Sequence, residues 1–518
     1  MSHLRPVETI AMFNNANVQR RSYLVLILVS FGVFVAADDL TVVSTLLPQM
    51  IFDFEIPVPT GLDDAAWIVS AYLIAYIVTM PFVGRVSDIY GRRRVYLASL
   101  GLFAFGSVFV PLVKDLRLLI AFRAVQALGG GAMVPVAMAI VGDLFHGERR
   151  PLAMGVLVSV DTAGWIFGPL YGAFLVRYLD WRWQFYINIP ASLLAAATAY
   201  WALRELPQTR RRASLDIPGA LLLMGGLVAL NVALSYSGGR MATGPSFDFD
   251  APPPTSRFVL PLLGLSVLLF GLLAALERRV SQPLVELDML RRPNFAAACA
   301  INFLVGFALI IAMVDVPLFI NTVLAEGSTV DEMLRLSAVR SGQVLAALTG
   351  TMSLASVLGG WLCGRFGYRL PTVLGSLAAA GGFGLMGTWS PGMSYGPMAI
   401  HLALAGLGFG LVTTSLSTAV IDAVGETQRG VASGLVVILR LIGMSVGLSL
   451  LTAWGLKRFE QLSRGYSIAE LGGVPLDLTA QVLDETFLAA GGVLLLTVVV
   501  ALSLRSGLRQ VMEEAQMP

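Results

Sequence analysis

The sequence predicts an all-α integral membrane protein, and three observations carry that prediction. Hydrophobic residues make up 56% of the 518 and charged residues only 13%, against roughly 25% charged in a soluble domain. Mean hydropathy is +0.77. Runs such as RSYLVLILVSFGVFVAA, FVLPLLGLSVLLFGLLAAL and FLAAGGVLLLTVVVALSL reach or approach the ~20 apolar residues with which a helix crosses a ~30 Å hydrocarbon layer. None alternates with period two, so barrel strands are excluded.

Hydropathy places about fourteen spans. Their approximate cores are 23–47, 65–83, 95–113, 117–141, 152–176, 183–203, 217–237, 258–276, 294–320, 341–363, 371–389, 396–421, 430–455 and 486–504. The polar N-terminus, residues 1–22, precedes a full-length span and reads as the cytoplasmic side of a signal anchor with no cleavage site. Counted from a cytoplasmic N-terminus, the even-numbered connections hold GRVSDIYGRRR, HGERRP, RELPQTRRR, ERRVSQPLVELDMLRRP and GRFGYR. The odd-numbered ones hold FDFEIPVPTGLDD and FDFDAPPP. Arginine therefore collects on one side, which predicts both termini inside.

Two arginine-flanked linkers, near 204–216 and 277–293, bracket a pair of spans with almost no intramembrane charge. Six spans precede the pair, in 23–203, and six follow it, in 294–504, before a cytoplasmic tail at 505–518. GRVSDIYGRRR after span 2 is echoed by GGWLCGRFGYR after span 10. That echo points to duplicated halves with a substrate site between them, the plan of a transporter. No proline interrupts Arg429 to Arg464. A helix of that length would run ~54 Å, so span 13 is expected to project outward, with 456–485 forming an outer hairpin.

Net charge is +2, and no basic block resembles a nucleic-acid-binding arm. Only two of the 35 basic residues are lysine, Lys114 and Lys457, and neither sits in a Gly-Lys-Ser/Thr phosphate loop. The three histidines form no HExxH, and Cys299 and Cys363 form no CxxC. Energy must come from an ion gradient or a partner, with no cofactor and no metal. A membrane-embedded enzyme or sensor is the competing class, and it lacks any clustered nucleophile or acid/base pair.

The informative residues are the intramembrane charges: Asp38 and Asp39 in span 1, Arg123 in span 4, Asp161 in span 5, Asp315 in span 9 and Arg440 in span 13. Ionisable groups at such depth face polar cavities and pair with one another. A carboxyl group that alternately meets apolar surroundings and Arg440 changes its proton affinity in each cycle. Asp39 is the expected coupling group. Asp38, ~100° away around the helix, is a neighbour or a cavity-lining residue. The competing structural reading is a static salt bridge locking helices together. Asp315, two residues before Pro317, reads equally as a hydrated helix end or an accessory site.

In GRVSDIYGRRR, Gly84 and Gly91 allow close helix approach and a tight turn. Asp88 can cap a helix or pair with an arginine, while Arg85, Arg92, Arg93 and Arg94 face the cytoplasm. Gly164, Gly168 and Gly172 recur every four residues in span 5, a packing seam expected to bend at Pro169 so that one bundle rocks against another.

These residues carry a resemblance. GRVSDIYGRRR resembles the loop signature of the major facilitator superfamily, and DLTVVSTLLP (Asp39 to Pro48) is similar to the first-span signature of its fourteen-helix drug/proton antiporter branch. RAVQALGGGA, GWIFGPLYG and DWRWQFYINIP resemble that branch's fourth-span, fifth-span and span-6 entry motifs. WIVSAYLIAYIVTMPFVGRVSD and LRLIGMSVGLSLLTAWGLKRF look most like mycobacterial-type lipid exporters. The resemblance implies two six-helix bundles plus an inserted pair, spans 7 and 8. It implies proton coupling at Asp39, a central ionic lock between Asp161 and Arg440, a lipid-guiding outer hairpin and a periplasmic lipoprotein partner. The drug branch carries Asn where Ser44 stands and lacks Asp38. The expected activity is proton-coupled export of a lipophilic or lipidic substrate, with triacylglyceride-type lipids as one candidate, by a monomer in the bacterial inner membrane. The alternative is multidrug/proton antiport.

Overall fold

The computed structural model describes residues 6–56, 62–147, 149–204, 216–238, 258–280, 287–324, 330–425, 428–463 and 476–504. The described residues form fourteen α-helices and two short 3-10 turns, and no strand. The first six helices are α1 (Pro6–Asp53), α2 (Leu62–Tyr90), α3 (Arg92–Phe109), α4 (Leu116–Leu144), α5 (Arg149–Tyr178) and α6 (Arg182–Leu203). A pair follows, α7 (Ile217–Gly238) and α8 (Val259–Glu277). The last six are α9 (Pro293–Thr322), α10 (Val330–Phe366), α11 (Arg369–Met386), α12 (Tyr395–Asp422), α13 (Arg429–Ser463) and α14 (Leu476–Ala501). Eleven of these are long and apolar enough to cross a membrane. By that measure α5, α6 and α11 fall short; α5 and α6 carry Asp161, Gln184 and Asn188.

Both six-helix sets pack alike. α1 lies against α5 and α6, α4 against α2 and α3, and α3 against α6. Likewise α9 lies against α13 and α14, α12 against α10 and α11, and α11 against α14. The sets meet along two seams, α5 with α10 and α2 with α13. Each seam joins the second helix of one set to the fifth of the other. α7 and α8 pack on each other, and α7 leans on α13 and α2. There the Ser449 hydroxyl donates to the Leu234 carbonyl.

Close helix contacts fix the register of the repeat. Gly164 and Gly168 of α5 sit against the Phe34 and Asp38 carbonyls of α1, as Gly443 and Gly447 of α13 sit against those of Phe303 and Phe307 in α9. An offset of 269 residues thus relates α1 to α9, and 279 relates α5 to α13. Gly129 of α4 meets Ser99 and Phe103 of α3, and Gly408 of α12 meets Gly375 and Ala379 of α11. These contacts give 279 for α4 to α12 and 276 for α3 to α11. Gly84 against Gly430 and Gly360 against Pro151 extend the 276 offset to α2 and α10. Turns obey it too. Gly91 (φ 96°) and Gly367 (φ 77°) occupy the left-handed region that ends α2 and α10, a conformation open to glycine without steric cost.

α1 begins at Pro6, well before its apolar stretch at Arg20–Val43. α5 is one continuous helix that includes Pro169, the position expected to bend. As expected, α13 runs unbroken to Ser463, beyond its apolar stretch ending at Leu451. The middle of the expected outer hairpin, residues 464–475, lies outside the described residues, as do residues 1–5, 205–215 and the tail 505–518.

Candidate functional site

A buried polar network occupies the first bundle. Asp39 of α1 has no exposed surface, and Arg123 of α4 is 1% exposed. Arg123 Nη1 donates to Asp39 Oδ2 at 2.6 Å. The other carboxylate oxygen, Oδ1, accepts from Asn188 Nδ2 at 2.7 Å and from Gln126 Nε2 at 3.1 Å. Gln126 also accepts from Arg123 at 2.7 Å and donates to Ser107 Oγ at 2.8 Å. The guanidinium lies 4.1 Å from the centroid of the Tyr72 ring, within cation–π range. Five helices, α1, α2, α3, α4 and α6, thus converge on one buried ion pair, whose Arg123 Nε is buried without a hydrogen-bond partner.

Asp38 turns to a different neighbour. Its Oδ2 accepts from Gln184 Nε2 at 3.1 Å, and its Oδ1 is buried without a hydrogen-bond partner. The sequence reading set Asp39 against Arg440, beside the Asp161–Arg440 lock that the resemblance implies. The structure instead places Arg123 on Asp39 and leaves Arg440 to Asp161, 3.8 Å away. The reason is helix packing: α1 borders α4 and α6, whereas α13 approaches α5 across the interface between bundles.

Asp161 and Arg440 line a narrow interbundle cavity of about 20 Å³, room for roughly one water. Every lining residue pairs with its repeat counterpart: Val33 with Asn302, Val134 with Thr413, Met138 with Ser417, Leu157 with Val436, Val158 with Val437, and Asp161 with Arg440. The first bundle supplies an apolar wall with one carboxylate. The second supplies amide, hydroxyl and guanidinium groups. Arg440 also lies 5.5 Å from the Trp165 ring centroid.

The face carrying the even-numbered connections is closed. Arg92 pairs with Asp88 and, through Nε, with Asp143 at 3.1 Å; Arg429 of α13 reaches the same Asp143 at 2.8 Å. Asp88 lies beside the start of α13, a favourable place for a negative charge. The repeat-related set is Arg150 and Tyr368, both on Asp422. The ion pairs therefore swap, each bundle giving an aspartate to the other's arginine. Arg85 is buried beside Asp88, and Arg93 stacks 4.4 Å from the Tyr200 ring centroid. Gly172 continues the α1–α5 seam against Val42 and Thr45. Asp315 is no helix-end residue: it is half-buried in α9, accepts from Thr486 Oγ1 at 2.8 Å and borders a small second cavity.

Several of these residues escaped the sequence reading. Gln126, Gln184 and Asn188 are uncharged, so a search for ionisable groups passes over them. Asp143, Arg150, Asp422 and Arg429 carried a readable signal: aspartate followed by arginine seven residues later, at 143–150 and again at 422–429.

Two matching six-helix sets enclosing a central cavity, closed at one face by swapped ion pairs, define a secondary transporter by class. The sequence profile of the Major Facilitator Superfamily matches residues 29–448, and the chain belongs to that family; it is a multi-pass membrane transporter, not an enzyme. It is 32% identical over 460 residues to a triacylglyceride transporter of Mycobacterium tuberculosis, covering 85% of this chain and 84% of the relative. It is 29% identical over 422 residues to the multidrug transporter protein MdtP of Bacillus subtilis, covering 82% and 73%. The crystal structure of the human organic anion transporter MFSD10 superposes with a TM-score of 0.60 at 18% identity, covering 93% of this chain and 99% of that one, a likeness of fold.

Proposed function

We propose that this chain exports a lipophilic or lipidic substrate by alternating access, driven by the proton gradient, with triacylglyceride-type lipids as the first candidate cargo. The observation that carries the proton-coupled reading is the buried network around Asp39 and Arg123, at a depth where an ionisable pair is costly unless it works. In this reading the carboxyl groups of α1 and α5 change protonation as the bundles 23–203 and 294–504 rock. Arg123 and Arg440 are the fixed counter-charges, and Asp315 is an accessory site. The glycine seams let the bundles move, and the loop from Gly84 to Arg93 holds the even face shut.

The relatives' names support the cargo, and so does a cavity with one apolar and one polar wall, which suits an amphiphile. The protein would act as a monomer in the bacterial inner membrane with both termini cytoplasmic, handing lipid to a periplasmic lipoprotein. Reconstituted protein in lipid vesicles tests the reading. A pH gradient should drive export of labelled triacylglyceride, and Asp39→Asn should abolish it while expression stays intact. Normal export by that variant removes Asp39 from the mechanism. The likeness to MdtP supports a second cargo class, small lipophilic drugs. In everted vesicles a drug exporter dissipates the gradient when drug is added, and a lipid exporter does not.

A further inference from the structure

We infer that Asp38 is a proton-binding site separate from Asp39, and that with the even face closed Asp38 holds a proton on Oδ1 while Asp39 stays ionised. Adjacent in sequence, the two carboxyl groups meet opposite surroundings. Asp39 accepts three donors, one of them a guanidinium. Asp38 is only 6% exposed, has a single amide donor on Oδ2, and has nothing on its buried Oδ1. An ionised carboxylate there would leave a bare oxygen in low-dielectric surroundings next to a second negative charge. The neutral acid removes both costs, because its O–H occupies the atom that lacks a partner.

Among the described residues, no cation pairs with Asp38 to change that balance. The charged and titratable groups around it are few. On α1 there is Asp39. From α4, Arg123 is engaged with Asp39. From α5 comes Tyr171, whose hydroxyl is buried and also lacks a partner. On α6, Arg182 is held by Asp53 and Asp180. From α2, Tyr72 stacks on Arg123.

One helix face ties the two carboxyl groups together. Gln184 and Asn188 are four residues apart on α6. Gln184 Nε2 donates to Asp38 Oδ2 and, at 3.4 Å, to Asn188 Oδ1, while Asn188 Nδ2 donates to Asp39 Oδ1. A shift of α6 against α1 therefore alters the donors of both at once. Packing does not require either carboxyl, since the repeat positions in α9 are Phe307 and Ala308. The proton balance is simple: one proton binds Oδ1 from solvent and returns to solvent, and no other bond changes.

This inference gives the proton-coupled reading a second site, yet its test does not depend on transport. Infrared difference spectra of the reconstituted full chain read protonated carboxyl groups directly. The wild-type minus Asp38→Asn spectrum should contain a protonated-carboxyl C=O band. The wild-type minus Asp39→Asn spectrum should lack it, and Asp38→Glu should restore it at a shifted frequency. A band that follows Asp39 instead, or none following Asp38 from acidic to alkaline pH, overturns the proposal. The expected band in a protein that moves no substrate on a pH gradient would keep this site and reject the transport reading.

Discussion

The two bundles share one register and differ in what fills it. At the repeat positions of Asp39, Tyr72, Ser107, Arg123 and Gln126 the second bundle has Ala308, Leu348, Phe383, Leu402 and Ala405. All ten side chains are buried. One copy of the fold therefore completes this core with hydrocarbon alone, while the other invests it with a charge pair and amides. Replacing a buried ion pair by apolar groups is often neutral or stabilising. The first bundle's charges are thus no requirement of its architecture, and the static-lock explanation loses its main support. The cavity shows the same division with polarity reversed, because there the second bundle carries the polar groups.

Breaking only one half of the buried pair should give the largest effect. Arg123→Leu leaves the Asp39 carboxylate uncompensated and should cost about 3–5 kcal/mol, read from denaturant or thermal unfolding in detergent, with export lost. A cost near zero would mean that Asp39 carries no charge in the folded protein. Copying the second bundle at three of these five positions, with Asp39→Ala, Arg123→Leu and Gln126→Ala together, should recover most of that stability while export stays at background. Export by the triple variant would end the contrast between the bundles.

A milder effect is expected at the seams, where the bundles are alike. Gly84→Ala and Gly360→Ala place a methyl group against the Gly430 and Pro151 backbones respectively. Each should shift the population away from the closed even face, and a bias of about 1.4 kcal/mol changes the ratio tenfold. Distances between spin labels on the even loops measure it. Unequal responses would show that the seams do different jobs. The smallest effect belongs to the swapped pairs. Asp143 and Asp422 are about a quarter exposed, so Asp143→Asn or Asp422→Asn should each weaken closure by up to ~1 kcal/mol, seen with the same labels.

Much of this was legible in the sequence. Apolar runs placed the helices because the bilayer dictates their length, and Asp39 and Asp161 stood out because charge inside such runs is rare. Partners were not legible: Asp39 and Arg123 are 84 residues apart, and only the packing of α1 on α4 joins them. The repeat was visible in one loop and hidden elsewhere, since connections of unequal length split it into offsets of 269, 276 and 279 residues. No single shift of the sequence on itself aligns all three. The amides on α6 were invisible for another reason, for one glutamine in a helix reads like any other until a carboxylate is seen beside it.

At the closed face, glycine meets peptide carbonyl at four repeat-related places: Gly84 on Gly430, Gly434 on Met80, Gly360 on Pro151 and Gly155 on Ser356. A gate made of main chain has no side-chain flicker through which water or hydronium could slip. For the proton-driven exporter proposed above this matters directly, because wasted ions are those that cross without cargo. Its insulation is set by how tightly four helices can nest, and hydrogen is the largest substituent those junctions admit.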